Sequence, residues 1–268
     1  PEGDLMRVLG GHSPTDQHSG TYLHLNRGKR NICCDLKKTG ADEVIRRLVE
    51  RADIVVANMR PKALERLGLD HETVLRSHPD KIYCLITGYG TGGPHAGYPT
   101  YDSVVQAASG IPGLIAERDG EPHYAPMMMC DLIVGEIATG AVLAGLAERS
   151  RSGRGAFIEV PMFETMASFV LQEHLAQHSF VPPVGPAGDQ RLLSPDNKPV
   201  RTSDGWIAFP ANTDRQVEAF LEATGKHELK GDPRYTTVAA RAINVREWFA
   251  VRGTPLTART TGEWLEIF

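Results

Sequence analysis

The sequence predicts an α/β protein built on a mostly parallel sheet, followed by a smaller α/β unit. Three observations predict this. Short apolar runs alternate with helical stripes between residues 41 and 177, the pattern that strand–helix–strand units leave in a sequence. Residues 181–199, VPPVGPAGDQRLLSPDNKP, then hold five prolines and two glycines, the composition of a linker or an active-site loop. A fresh strand-and-helix pattern opens at Thr202. The domain boundary is therefore placed near residue 200, with a large domain over 1–199 and a small one over 200–268.

Taken in order, residues 23–36 read as an extended segment broken by the basic turn Asn26-Arg27-Gly28-Lys29-Arg30. That turn has the size to hold phosphates, and a solvated surface turn explains it equally well. Val44, Ile45, Leu48 and Val49 make a helical stripe over 41–51. Asp53-Ile54-Val55-Val56-Ala57 is a short buried-strand run ended by Asn58. The segment from Pro61 to Gly68 suits a helix that starts on proline and stops on glycine. Residues 81–87, KIYCLIT, give the next strand. Residues 132–149 give the strongest helix, 156–160 a further strand and 164–177 another helix. Beyond the linker, TSDGWIAF is a strand with at least two helical stretches after it. Ligands sit at the carboxyl ends of strands in such sheets, which draws attention to Asn58 and Gly88.

The 268 residues are enough for a real core, and 41% apolar with 23% charged is ordinary globular composition. A net charge of -4 gives no electrostatic reason for nucleic acid or an anionic membrane as partner. No apolar run approaches the ~20 residues of a membrane span, so no membrane role is expected. PEGDLMRVLGG does not make a signal peptide. Cys33, Cys34, Cys84 and Cys130 lack metal-ligand spacing, and reduced thiols in a cytoplasmic protein fit them best. The ten histidines form no paired-ligand pattern, so no metal is assigned.

Two stretches carry candidate chemistry. Gly88-Tyr89-Gly90-Thr91-Gly92-Gly93 matches GxGxxG after a strand, but Pro94 to Pro99 form a loop where the dinucleotide fingerprint needs a helix. A glycine loop beside a ligand, or a plain turn, fits better. In MMMCDLIVG, Asp131 is one carboxylate inside apolar sequence. Aspartate is a favoured helix N-cap, and a helix from Leu132 is what it would cap. The same position would keep it ionised near the helix dipole, and an ionised carboxylate can attack a carbonyl, with nearby amides stabilising an oxyanion. The two roles do not exclude each other. Cys130 beside it has no base or cation neighbour in sequence and reads as packing.

Several motifs in order carry a family resemblance: Leu25 to Arg30 with Asp35-Leu36-Lys37, then Ala52 to Asn58 leading into Arg60-Pro61 and Leu64 to Gly68. Gly88-Tyr89-Gly90, Gly93-Pro94, Tyr101-Asp102, Asp131 and Arg149 to Gly155 follow. Over residues 1–170 this series resembles the class III CoA-transferases, the family of formyl-CoA transferase and carnitine CoA-transferase. Residues 202–241, with DGW and DPRY, are similar to that family's small domain.

The resemblance implies a Rossmann-like large domain, a smaller α/β domain and an interlocked homodimer. It implies Asp131 as the nucleophile in CoA transfer between an acyl-CoA and a carboxylic acid acceptor, with acyl-CoA as substrate and no tightly bound cofactor. It places CoA against Cys34, Asp35, Leu36 and Lys37, then Asn58, Met59, Arg60 and Arg66, and the thioester end against Pro99, Thr100, Tyr101 and Asp102. The charges of Lys37, Arg60 and Arg66 suit CoA phosphates, and Met127, Met128 and Met129 would offer adaptable apolar surface to the acyl group.

Three departures refine this. The family's racemases carry histidine where this chain has Tyr101. A tyrosine, with its ordinary pKa of about 10, is a poor α-proton base, so a racemase or isomerase is the lesser alternative, beside a non-catalytic acyl-CoA-binding subunit. The loop VGPAGDQRLLSP holds Gly185 and Gly188 but no glycine run, which argues against oxalate or formyl specificity. The family's first strand–helix unit and last return segment are missing, so a fragment with an incomplete set of CoA contacts is expected.

Overall fold

The computed structural model describes residues 3–11, 13, 14 and 17–268; Pro1 and Glu2 of the opening stretch lie outside them. The helices are α1 Gly20–Asn26, α2 Ala41–Arg51, α3 Pro61–Leu67, α4 His71–Ser77, α5 Asp102–Ala108 and α6 Ile111–Asp119, then α7 Met129–Ser152, α8 Met162–His174, α9 Asp214–Ala223, α10 Val238–Ile243, α11 Val245–Arg252 and α12 Thr261–Ile267. The strands are β1 Ile54–Ala57, β2 Ile82–Thr87, β3 Ala156–Pro161, β4 Val200–Arg201 and β5 Trp206–Ile207. They fold into two compact units. One takes in the described residues through Ile86 with Ala138–Glu159; the other takes in Thr87–Ile137 with Val160–Phe268.

The first unit holds a mixed α/β layer. Its sheet has the order β1-β2-β3, and β1 pairs with β2 in parallel, Ile54 opposite Ile82 and Ala57 opposite Leu85. The predicted punctuation acts as written. Pro61 opens α3, where its missing N–H costs nothing, and Gly68 closes it in the left-handed conformation at φ 64°. Leu64, Val74, Tyr83 and Leu85 form the core between these helices and the sheet. Tyr83 is fully buried, donates its hydroxyl to the Leu69 carbonyl at 2.5 Å, and is pushed up to about 12 by burial and, secondarily, by Asp70. Buried Lys81 satisfies its ammonium on the Glu50 and Ala52 carbonyls at 3.0 and 2.6 Å, closing the C-terminus of α2. Gly155 is required where the chain enters β3, since a Cβ there would press on the Lys81 carbonyl.

Two expectations are corrected. Residues 23–26 are helical, not extended: the Ser19 hydroxyl accepts from Tyr22 N–H at 3.0 Å and nucleates α1, while residues 27–35 form no strand. By length and apolar composition α7 could cross a membrane, although its apolar residues are not consecutive. It touches the sheet at Gly145, while only 17% of its most apolar stretch is buried. A Cβ on Gly145 would sit 3.0 Å from Ile158 Cδ1 and 3.4 Å from Ile82 Cδ1, so a side chain there would have to push those methyl groups aside.

In the second unit, residues 181–199 are irregular, as the proline content requires. β4 and β5 form an antiparallel pair, Val200 opposite Ile207. Val217, Phe220, Leu221, Tyr235, Trp248 and Phe249 build an aromatic core under α9 and α11. Thr213 and Gln216 close a reciprocal capping box on α9, and Thr260 with Glu263 does the same on α12.

Candidate active site

In the first unit the predicted CoA-binding residues lie on a turn, just after β1 and on α3. Asp35 Oδ1 accepts from Lys37 N–H at 3.1 Å, shaping the turn that also holds Cys34 and Leu36. Asn58 and Met59 follow β1 directly, and Arg60 is the residue before α3. Arg66, on α3, donates Nε to the Lys62 carbonyl at 3.1 Å. Lys37, Arg60 and Arg66 are exposed and have no ion-pair partner among the described residues. Cations in that state keep their charge free for a ligand phosphate.

In the second unit the loop 88–101 carries no helix before Asp102, so the glycine motif lacks the context of a dinucleotide site. The loop is held at its start. Gly90 N–H donates to Glu164 Oε1 at 2.9 Å, and Phe163 N–H donates to the Gly88 carbonyl at 3.0 Å. Gly88 gives way to Thr100, whose Cβ would lie 2.5 Å from any Cβ placed on it. Pro99 is exposed beside Thr100, and Tyr101, 76% exposed, precedes α5.

Asp131 is not the helix cap. α7 begins at Met129, and Leu132 N–H reaches back to the Met128 carbonyl at 3.2 Å, so Asp131 stands in the first turn. The capping carboxylate comes from Asp102 on α5. Its Oδ1 accepts from the amides of Cys130 at 2.8 Å and Asp131 at 3.2 Å, and its Oδ2 accepts from Gln106 Nε2 at 2.6 Å. Two expectations change with this. Those amides are occupied and do not offer an oxyanion hole. Nor does the helix end dominate the Asp131 charge. Although the residue keeps solvent access, partial desolvation of its carboxyl, and then the neighbouring Asp102 carboxylate, raise its pKa above the ordinary value.

With Asp102 serving the backbone, no donor among the described residues reaches the Asp131 carboxylate. A partly desolvated carboxylate with no fixed donor has its lone pairs free for a carbonyl carbon. Cys130 is fully buried, and burial, with Asp102 and Asp131 behind it, pushes its thiol up to about 12, which rules it out as a thiolate nucleophile at neutral pH. Met127 and Met128 are exposed just ahead of the helix. Among the described residues no group of three His, Cys, Asp or Glu side chains could hold a metal ion.

A family model, CoA-transferase family III, matches residues 1–268. The chain belongs to CoA-transferase family III. Within that family it is 33% identical over 228 residues to a succinate–glutarate CoA-transferase of Agrobacterium fabrum, covering 84% of this chain and 57% of that protein. It is 29% identical to the succinyl-CoA:glutarate CoA-transferase of Mus musculus, over 99% of this chain and 61% of that one. The fold matches the crystal structure of Rv3272 from M. tuberculosis at TM-score 0.81 and 28% identity, covering all of this chain and 71% of that one. A CAIB/BAIF family protein from Brucella suis matches at TM-score 0.78 and 30% identity, covering all of this chain and 72% of that one. The family III chain thus spans little more than half the length of the first of these relatives.

Asp131, Asp102 and the basic residues were visible in the sequence. Gln106 was not singled out, although a Gln four residues after an Asp at a helix start is a recognisable side-chain pair.

Proposed function

We propose that this chain carries the reacting carboxylate of a CoA-transferase that moves CoA between an acyl-CoA and a free carboxylic acid. The observation that carries this reading is the Asp131 carboxylate, without a donor among the described residues and partly desolvated in the first turn of α7 while Asp102 caps that turn. In the proposed sequence an Asp131 oxygen attacks the thioester carbonyl carbon, the C–S bond breaks, and CoA leaves as thiolate with a mixed anhydride on Asp131. The thiolate then attacks the Asp131 carbonyl carbon and releases the donor acid as carboxylate. The acceptor carboxylate attacks the resulting aspartyl thioester, giving a second anhydride and CoA thiolate. That thiolate takes the acceptor acyl group and restores Asp131. No electron leaves or enters the cycle.

The names of the relatives support a dicarboxylate pair, and succinyl-CoA with glutarate is the first to try. Lys37, Arg60 and Arg66 would hold CoA phosphates, Cys34, Asp35, Leu36, Asn58 and Met59 would line its nucleotide end, and Pro99, Thr100 and Tyr101 would face the thioester. A homodimer, a large and a small domain meeting near residue 200, and a cytoplasmic setting belong to the same reading. Exposed apolar side chains such as Leu143 and Phe169 support a covering partner.

The test is exchange of label between succinyl-CoA and glutarate. The chain should catalyse it, and Asp131→Ala should abolish it without loss of fold; full activity in that variant would sink the assignment.

A further inference from the structure

The geometry points to Gln106 as a positioning residue for the Asp131 carboxylate, acting through Asp102. The inference rests on the transferase reading and adds a residue that reading does not need. Gln106 lies on α5, one turn after Asp102, and is 1% exposed. Both ends of its amide are used. Nε2 donates to Asp102 Oδ2 at 2.6 Å and to the Met127 carbonyl at 3.3 Å, and Oε1 accepts from Ala125 N–H at 2.9 Å. The orientation of the amide is fixed by its partners, because a backbone N–H can face only the oxygen.

One side chain therefore sets two things. By holding Oδ2 it leaves the Asp102 carboxylate a single rotation, the one in which Oδ1 meets the Cys130 and Asp131 amides. By gripping Ala125 and Met127 from both sides it fixes the chain just before α7 begins. Asp131 sits in the turn that both constraints define. Leucine fills the same space without polar atoms, so replacing the amide strands the Ala125 N–H and frees the Asp102 carboxylate to turn. A nucleophile displaced by about 1 Å loses on the order of a hundredfold in rate.

The experiment measures succinyl-CoA:glutarate exchange by the full chain and by Gln106→Leu. The variant should lose about tenfold to a hundredfold in kcat with KM for succinyl-CoA held within about threefold. Phe220→Leu, in the remote aromatic core, supplies a variant of similarly lowered Tm that should keep its kcat. If Gln106 acts in part through Asp102, then Asp102→Ala with Gln106→Leu together should lose clearly less than the product of the two single losses, the excess over Asp102→Ala alone reading the grip on Ala125 and Met127. Losses that multiply, or an unchanged kcat in Gln106→Leu, overturn the inference while leaving Asp131 as nucleophile. Hydrogen exchange at the Cys130 and Asp131 amides reads the link without substrate. Protection should fall by about tenfold or more in Gln106→Leu, and unchanged protection overturns the inference even if the chain proves inactive and the transferase reading fails.

Discussion

Replacing Asp102 with alanine probes the arrangement that frees Asp131. The carboxylate of Asp102 takes two first-turn amides of α7, at 2.8 and 3.2 Å, from a helix 27 positions earlier in the chain. Loss of a helix cap costs about 0.5–2 kcal/mol. Here two amides lose their acceptor and the Gln106 amide loses a partner, which places Asp102→Ala in the upper part of that range, about 1–2 kcal/mol. At about 2–4 °C per kcal/mol for a chain of this size, the thermal midpoint should fall by about 2–8 °C. Differential scanning calorimetry of Asp102→Ala beside Asp102→Asn reads this directly. The asparagine keeps an acceptor oxygen for the two amides but sets its own NH2 against Gln106 Nε2, so it should recover only part of the midpoint lost in Asp102→Ala. It also removes one of the two causes that raise the Asp131 pKa, so the acidic limb of its pH–rate profile should move to lower pH. An Asp102→Ala midpoint equal to that of the parent would refute the claim that this carboxylate caps α7.

Further outcomes follow from the same geometry. Asp131 has a raised folded pKa, so the fold favours its protonated form and stability falls as pH rises from the ordinary carboxylate value through the raised one. Asp131→Asn should therefore melt higher than the parent at neutral pH, and the gap should close as pH falls to about 4 and below; a parent that is the more stable at neutral pH would contradict this. Gly88→Ala would drive a methyl into Thr100 and should cost about 1–3 kcal/mol. Adding Thr100→Gly should restore the midpoint, and a failure to do so would place the strain elsewhere. Alanine at Lys37, Arg60 or Arg66 should raise KM for succinyl-CoA with little change in Tm, since all three are exposed and unpaired among the described residues. Unchanged KM in all three would remove them from the CoA site.

The parts of the fold legible in the sequence were those with local punctuation. α2 follows its apolar stripe, α3 runs from Pro61 to the Gly68 stop, and β1 and β2 are short β-rich runs. Longer-range causes were hidden. α1 depends on Ser19, whose hydroxyl also donates to the Met6 carbonyl at 2.6 Å, a contact across thirteen residues. The same limit applied to Asp131. Local reading made it the cap of α7, because the true cap arrives from Asp102 and leaves no mark near residue 131. Family membership was legible from the order of motifs, while the network behind Asp131 needed coordinates.

The central claim is that the Asp131 carboxylate forms the covalent intermediate. The most direct measurement incubates the chain with succinyl-CoA, traps with hydroxylamine and maps the modified peptide by mass spectrometry. A hydroxamate should appear on Asp131, absent without succinyl-CoA and absent in Asp131→Asn. CoA exchange accompanied by modification at another residue, or by none, would contradict it.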